Sequence, residues 1–279
     1  MFDIDATTKQ LAILGYPVEH SFSPRMHNFI SEQMGKNYVY TALEVKPGSL
    51  KEAVGGIRAL GFTGVNVTAP YKYEVMDYID EVSGQAQLLG SVNTLVNRDG
   101  KLIGFNTDAQ GFYQSLLQHG ASVKGKDILI LGAGGATKPI SVLFAQEGAK
   151  SITIVNRTMA KAEALADYVS QVCGYRVGTR QERSHYDIVI NTTSVGMYPN
   201  IEASPVEDMS FVSDKTVVCD MIYNPAKTLF LKRAEEKGAK IINGLGMLIF
   251  QGIFAYELFT QTKLPADMPQ RIAREVFGQ

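Results

Sequence analysis

Lys72 and Asp108 are the two residues of this 279-residue chain whose types suit proton exchange with an alcohol or a ketone. Lys72 closes the segment Asn66-Val-Thr-Ala-Pro-Tyr-Lys72, and Asp108 closes Gly104-Phe-Asn-Thr-Asp108. Each segment follows an apolar run that reads as a strand, so both side chains fall at the carboxyl end of a sheet, where open α/β folds bind ligands. There an ammonium exchanges a proton with the substrate oxygen as hydride moves to or from carbon. A carboxylate beside it orients it. A lone lysine after a turn is more often a solvated side chain, so the case rests on company. Asn66, Thr68 and Asn93 stand at corresponding strand ends, and their donors and acceptors suit a polyhydroxylated ligand.

Such chemistry needs a hydride carrier, and Ile128-Leu-Ile-Leu-Gly-Ala-Gly-Gly-Ala-Thr-Lys-Pro139 has the layout to hold one. Ile128 to Leu131 reads as a fully buried parallel strand. The strand stops at Gly132, and Pro139 sits where the first turn of a helix tolerates it. Glycines in this turn let the backbone approach a pyrophosphate, whose charge faces the helix N-terminus. The expected contacts are Gly132, Ala133, Gly134, Gly135 and Ala136. Thr137 departs from the pattern, because Gly or Ala is usual there. A second strand is expected over Ser151–Val155, and an NAD site would present Asp or Glu at its end to the ribose 2′-hydroxyl. This chain has Asn156-Arg157-Thr158 instead, with Lys161 one turn on. A 2′-phosphate would meet a guanidinium and a hydroxyl there, and no carboxylate. The expected cofactor is NADP.

Composition narrows the class. The formal net charge is −1, so no basic field points to nucleic acid or an anionic membrane. Cys173 and Cys219 stand in no metal or redox spacing and read as buried thiols in a reducing compartment, and no metal site is expected. The opening MFDIDATTKQ lacks the apolar stretch of a signal peptide, and no run of about 18 apolar residues occurs anywhere. These features suit a soluble cytoplasmic protein with a small-molecule substrate. Oligomeric state is not legible, and a homodimer stays open.

The elements that must position these residues alternate strand and helix. Strands are expected at 10–14, 38–45 and 64–67, and helices from Ser23 and over 49–60. Ser23-Pro24 reads as a helix start, with Ser23 as N-cap and Pro24 at N1. Ser21 and Ser23 therefore sit at a strand's carboxyl end. His20 and His27 lack the neighbours of a metal site and read as structural. The segments 91–97 and 101–105 flank Arg98-Asp-Gly100 as a hairpin at the sheet edge, and a helix follows to His119. Short strands come later at 187–191, 217–220 and 240–243, and the last elements, 247–260 and 269–277, are helical. We read an α/β protein of two domains. The first is an N-terminal substrate-binding α/β domain with a mainly parallel sheet, residues 1–108 completed by C-terminal helices 245–279. The second is a Rossmann-type NADP-binding domain, residues 109–244.

The chain resembles the shikimate dehydrogenase family over nearly its whole length. The matching stretches are Gly15–Asn28, Asn66–Lys72, Ser91–Leu95, Gly104–Asp108, Gly132–Ala136, Asn156–Thr158 and Gly244–Gly252, in the family's order. The resemblance implies NADPH-dependent reduction of 3-dehydroshikimate to shikimate, in a cleft between the domains. It implies Lys72 and Asp108 as the catalytic pair, and Ser21 and Ser23 on the substrate carboxylate with Tyr223 nearby. It places Thr68, Asn93 and Gln251 on the hydroxyls, and Met221, Gly244 and Met247 beside the nicotinamide. Departures are Lys138 for a frequent arginine, Thr137 for a small residue, and Lys161 for another arginine. Lysine at 161 lacks bidentate geometry, which weakens the case for NADP over NAD. The rivals are a quinate/shikimate dehydrogenase using NAD and a non-catalytic metabolite sensor. A sensor has no need of both Lys72 and Asp108.

Overall fold

The computed structural model describes residues 4–279 and divides into two compact units, Met1–Gly111 with Ile249–Gln279, and Phe112–Leu248. The first unit carries β1 (Lys9–Gly15), β2 (Tyr38–Glu44), β3 (Gly64–Val67), β4 (Glu81–Val82), β5 (Thr94–Arg98) and β6 (Lys101–Phe105). They form one sheet in the order β2-β1-β3-β5-β6-β4. β1 runs parallel to β2 and β3, and β4 parallel to β6, while β5 is antiparallel to β3 and β6.

The hairpin turn forms as the sequence suggests, with Asp99 and Gly100 both left-handed at φ 53° and 88°. It is not at the sheet edge, because β4 pairs beyond β6 through Glu81↔Ile103 and Val82↔Gly104. A two-residue strand has no alternation to read. Between the sheet and α2 (Leu50–Ala59), Leu50, Val54 and Ile57 pack with Leu14, Val65, Val67, Leu95 and Leu102. Their i, i+4, i+7 spacing is the apolar stripe of a helix lying on a sheet.

Helix α1 (Ser23–Gln33) begins one residue earlier than its expected cap implies. Phe22 occupies the N-cap, Ser23 is already helical, and the Ser23 N–H donates to Ser21 Oγ at 3.2 Å. The oxygen accepting at the helix start is therefore that of Ser21. Two further helices of the second half are α8 (Leu245–Thr260) and α9 (Met268–Phe277). Gly252 lets α8 lie against α1, since a Cβ there would come within 2.1 Å of Met26 Cε. Beside that contact His27 is fully buried, stacked on Tyr40 at 4.2 Å and flanked by Tyr256 and Phe259. Neither of its ring nitrogens has a hydrogen-bond partner, and burial pushes its pKa down from 6.5 to about 3.

The second unit carries β7 (Asp127–Leu131), β8 (Ser151–Val155), β9 (Val177–Gly178), β10 (Ile188–Asn191), β11 (Val217–Asp220) and β12 (Lys240–Ile242). All pair in parallel, in the order β12-β11-β10-β7-β8-β9. This is the doubly wound order of dinucleotide-binding folds, with its topological switch between β7 and β10. Helices α5 (Thr137–Gln146), α6 (Met159–Cys173) and α7 (Leu229–Glu236) supply the crossovers that have helices. Ile128, Leu129 and Ile130 are wholly buried, as a strand covered on both faces requires. Cys219 is buried in β11, whereas Cys173 is half-buried. It is the last residue of α6, where Gly174 turns the chain away in the left-handed conformation. Among the described residues no helix is long and apolar enough to cross a membrane.

Candidate active site

In the first unit the ends of β3, β5 and β6 converge. Lys72 Nζ donates to Asp108 Oδ2 at 2.7 Å, with side-chain exposures of 31% and 13%. Asp108 opens α4 (Asp108–Gln118), where the helix dipole favours a carboxylate. Its other oxygen accepts from Asn93 Nδ2 at 2.9 Å. The Asn93 amide is committed throughout: Nδ2 also donates to Thr107 Oγ1, and Oδ1 accepts from Thr107 N and Thr94 Oγ1. Such an amide has no freedom to rotate, so it holds the carboxylate in one orientation. The Asn106 side chain completes the turn by accepting from Asp108 N at 3.1 Å and donating to Ser91.

A second set of bonds joins this cluster to α1. Asn66 Nδ2 donates to Asn93 O and Thr94 Oγ1, and Asn66 Oδ1 accepts from Tyr40 OH at 2.8 Å. The Tyr40 hydroxyl also bonds with Ser23. Asn66 is thus spent inside the protein as a brace. Thr68 stays half-buried against Gly15, where a Cβ would lie 2.4 Å from Thr68 Cγ2. Gln251 is fixed from the other side: a Cβ on Gly111 would lie 2.6 Å from Gln251 N. Gly111 is one turn past Asp108 in α4, so this close approach sets Gln251 relative to the carboxylate. Ser21, Ser23, Thr68, Lys72, Asn93, Asp108 and Gln251 all belong to this unit.

In the second unit Gly132 leaves β7 with φ 115°, and a Cβ there would meet Thr192 Oγ1 at 2.6 Å and Thr193 Cγ2 at 2.8 Å. Glycine is required at this position by conformation and by space. Gly134 is exposed with nothing within 4 Å of an ideal Cβ, so a ligand can approach closely over its Cα. No side chain caps α5 and no acid lies in its first turn, which leaves the positive end of its dipole facing the turn. These features fit a dinucleotide pyrophosphate. The irregular Thr137 has a physical reason. Its hydroxyl accepts from Gly134 N at 3.1 Å and pairs with Thr192 Oγ1 at 2.8 Å, closing the turn onto β10. Lys138 is turned away, with Nζ 3.7 Å from the centre of the Tyr168 ring.

Arg157, Thr158 and Lys161 are exposed after β8, and Asn156 Nδ2 ties back to Thr158 O at 3.0 Å. No acidic side chain bonds any of them among the described residues, so the donor set suits a 2′-phosphate. Met221 and Tyr223 are half-buried after β11, and burial raises the Tyr223 pKa. A Cβ on Gly244 would lie 2.0 Å from Met221 O, so only glycine fits there. Met247, in the first turn of α8, is half-buried. Sequence reasoning missed Thr94, Asn106 and Thr107 around Asp108, and Asn191, Thr192 and Asp220 around the glycine turn. Their signal was present in the polar residues that open β5 and close β6, β10 and β11.

The comparisons agree in kind. Residues 13–95 match the family model described as shikimate dehydrogenase substrate binding domain, and residues 114–225 the model described as shikimate / quinate 5-dehydrogenase. The NADP(+) shikimate dehydrogenase of Methanocaldococcus jannaschii is 45% identical over 264 residues, 92% of this chain and 93% of that protein. The solved shikimate 5-dehydrogenase of Listeria monocytogenes, in complex with shikimate and NAD, superposes with a TM-score of 0.91 at 35% identity, covering 98% of each chain. That of Thermus thermophilus, in complex with NADP(H) and shikimate, gives 0.87 at 34% identity, covering 96% of this chain and 100% of its own.

Proposed function

Because the chain belongs to the shikimate dehydrogenase family, we propose that it catalyses the reversible NADPH-dependent reduction of 3-dehydroshikimate to shikimate in aromatic amino-acid biosynthesis. The observation that carries the proposal is the Lys72–Asp108 pair at 2.7 Å, its carboxylate held by the Asn93 amide. NADPH, when bound, supplies hydride to the ring carbonyl carbon. Lys72 donates a proton to the oxygen that becomes the hydroxyl. Asp108 orients the ammonium and accepts from a neighbouring substrate hydroxyl. Ser21 and Ser23 take the substrate carboxylate, with Tyr223 beside it; Thr68 and Gln251 serve its hydroxyls, and Asn93 serves them through the Asp108 carboxylate that it fixes.

The turn Gly132–Ala136 receives the pyrophosphate, and Asn156, Arg157, Thr158 and Lys161 the 2′-phosphate end. Met221, Gly244 and Met247 border the nicotinamide. This reading puts the enzyme in the cytoplasm and includes assembly as a homodimer, which sedimentation of the full chain checks. A second reading, a quinate-accepting enzyme using NAD, has one observation in its favour: Lys161 supplies a point charge where a guanidinium would grip phosphate in two places. Nicotinamide absorbance followed with shikimate and with quinate, each with NADP and NAD, separates the two. Turnover of shikimate with NADP well above the other three combinations is expected. Turnover with none of the four rejects both readings.

Two substitutions test the binding assignments. Arg157→Ala is expected to weaken NADPH roughly 10- to 100-fold and to leave NADH nearly unchanged, the size of a lost hydrogen bond to a charged group. Equal losses on both cofactors, measured by fluorescence titration, would remove Arg157 from the phosphate site. The double variant Ser21→Ala, Ser23→Ala is expected to raise KM for shikimate roughly tenfold or more, with a smaller fall in kcat, because this contact lies far from the reacting carbon. An unchanged KM returns both serines to shaping the start of α1.

A further inference from the structure

Asp220 ends β11 with its residue wholly buried, and no ion pair includes it among the described residues. Three hydrogen bonds hold the carboxylate. Oδ1 accepts from Asn191 Nδ2 at 3.1 Å and from Ile222 N at 3.0 Å, and Oδ2 accepts from Thr228 Oγ1 at 2.7 Å. Burial raises the pKa of the group, and these bonds oppose the rise. A buried carboxylate without a counter-ion costs free energy that an apolar residue would not. Its partners show what the cost secures.

Each partner belongs to a different segment. Asn191 ends β10, and its side chain shapes the next turn by accepting from Thr193 N and Oγ1 and donating to Val195 O. Thr192 and Thr193 of that turn are the residues against which Gly132 closes. Ile222 follows Met221, and its carbonyl accepts from Gly244 N at 3.0 Å, which seats Gly244 against the Met221 carbonyl. Thr228 caps α7 by accepting from Leu231 N. One carboxylate therefore fastens the turn after β10, the turn after β11 and the start of α7.

We propose that Asp220 is a positioning residue for the nicotinamide half of the cofactor site, holding Met221 and Gly244 in place as its wall. The proposal rests on the reading of Met221 and Gly244 given under the proposed function. It leaves the adenosine 2′-phosphate end untouched, because Arg157, Thr158 and Lys161 follow β8, on the far side of β7 from β10. That asymmetry supplies the test. Dissociation constants for NADPH and for adenosine 2′-monophosphate are measured on the full-length protein, Asp220→Ala and Asp220→Asn, with turnover of shikimate by the unsubstituted protein as a reference.

Asp220→Ala is expected to weaken NADPH roughly tenfold or more and adenosine 2′-monophosphate by less than about twofold. Asp220→Asn keeps the shape but trades an acceptor for a donor among three donors, so it should show the same selective loss, about threefold or more on NADPH. If the alanine variant does not fold, the asparagine variant decides alone. A loss shared equally by the two ligands, or none on NADPH, overturns the role of Asp220. Failure of the unsubstituted protein to turn over shikimate overturns the functional reading instead.

Discussion

Lys72→Met is expected to lower kcat for reduction of 3-dehydroshikimate by roughly 10²–10⁴-fold, the usual contribution of a positioned acid–base group, while the Kd for shikimate changes far less. Methionine keeps the unbranched stem of lysine and removes only the ammonium, so packing in the turn after β3 is preserved. That turn is held without the ammonium. Lys72 O accepts from Val92 N at 2.8 Å, and the preceding residue, buried Tyr71, is anchored by its hydroxyl donating to Val45 O at 2.5 Å. Asp108 also keeps its orientation, because Asn93 binds the other oxygen. A variant that retained most of its activity would make Lys72 a binding group only, and Asp108 would become the leading candidate for the base. Single-turnover measurement of hydride transfer with saturating NADPH separates these outcomes from slow product release.

The next largest effect concerns stability and pH. The fully buried His27 is held neutral, its pKa pushed down from 6.5 to about 3, so between these values the unfolded chain binds a proton that the folded chain does not. Stability therefore falls as pH drops from about 6.5 towards 3, by up to about 1.4 kcal/mol per pH unit and on the order of 5 kcal/mol in total. Above pH 6.5 the residue makes no pH-dependent contribution. His27→Phe keeps a ring stacked on Tyr40 and carries no titrating group. Urea unfolding at several pH values between 7.5 and 4.5 is expected to show a shallower acid slope for this variant. Equal slopes in the two proteins would mean that the folded state takes up a proton at His27.

Much of the architecture was legible because it rests on local chemistry. The run Ile128 to Leu131 followed by Gly132 specifies a buried strand that stops at a left-handed turn, whatever else the chain does. The helices α2 and α9 fall within a residue of their expected spans, since an apolar stripe and a closing glycine are read within one element. Short pieces were not legible. β4 and β9 have two residues each, too few for any period, and they exist only because a neighbouring strand offers an edge. The shift of Ser23 into α1 has the same character, for Ser23 and Ser21 both carry a hydroxyl and only the path of the backbone decides which one accepts.

By itself the sequence determined the residue types at the strand ends, Lys72, Asp108, Asn93 and Arg157 among them, and the class of chemistry open to them. Their spacing along the chain says nothing of their distance in space, because residues 36 apart meet only when β3, β5 and β6 pair side by side. Tertiary structure decided that Lys72 and Asp108 touch, that Asn93 is spent on Asp108, and that Asn66 is a brace. It also decided why Thr137 is tolerated in the glycine turn, since its partner Thr192 lies 55 residues away on β10's exit. Hydrogen bonds of this kind depend on two strands meeting in register, which is a property of the folded sheet and is absent from any single segment.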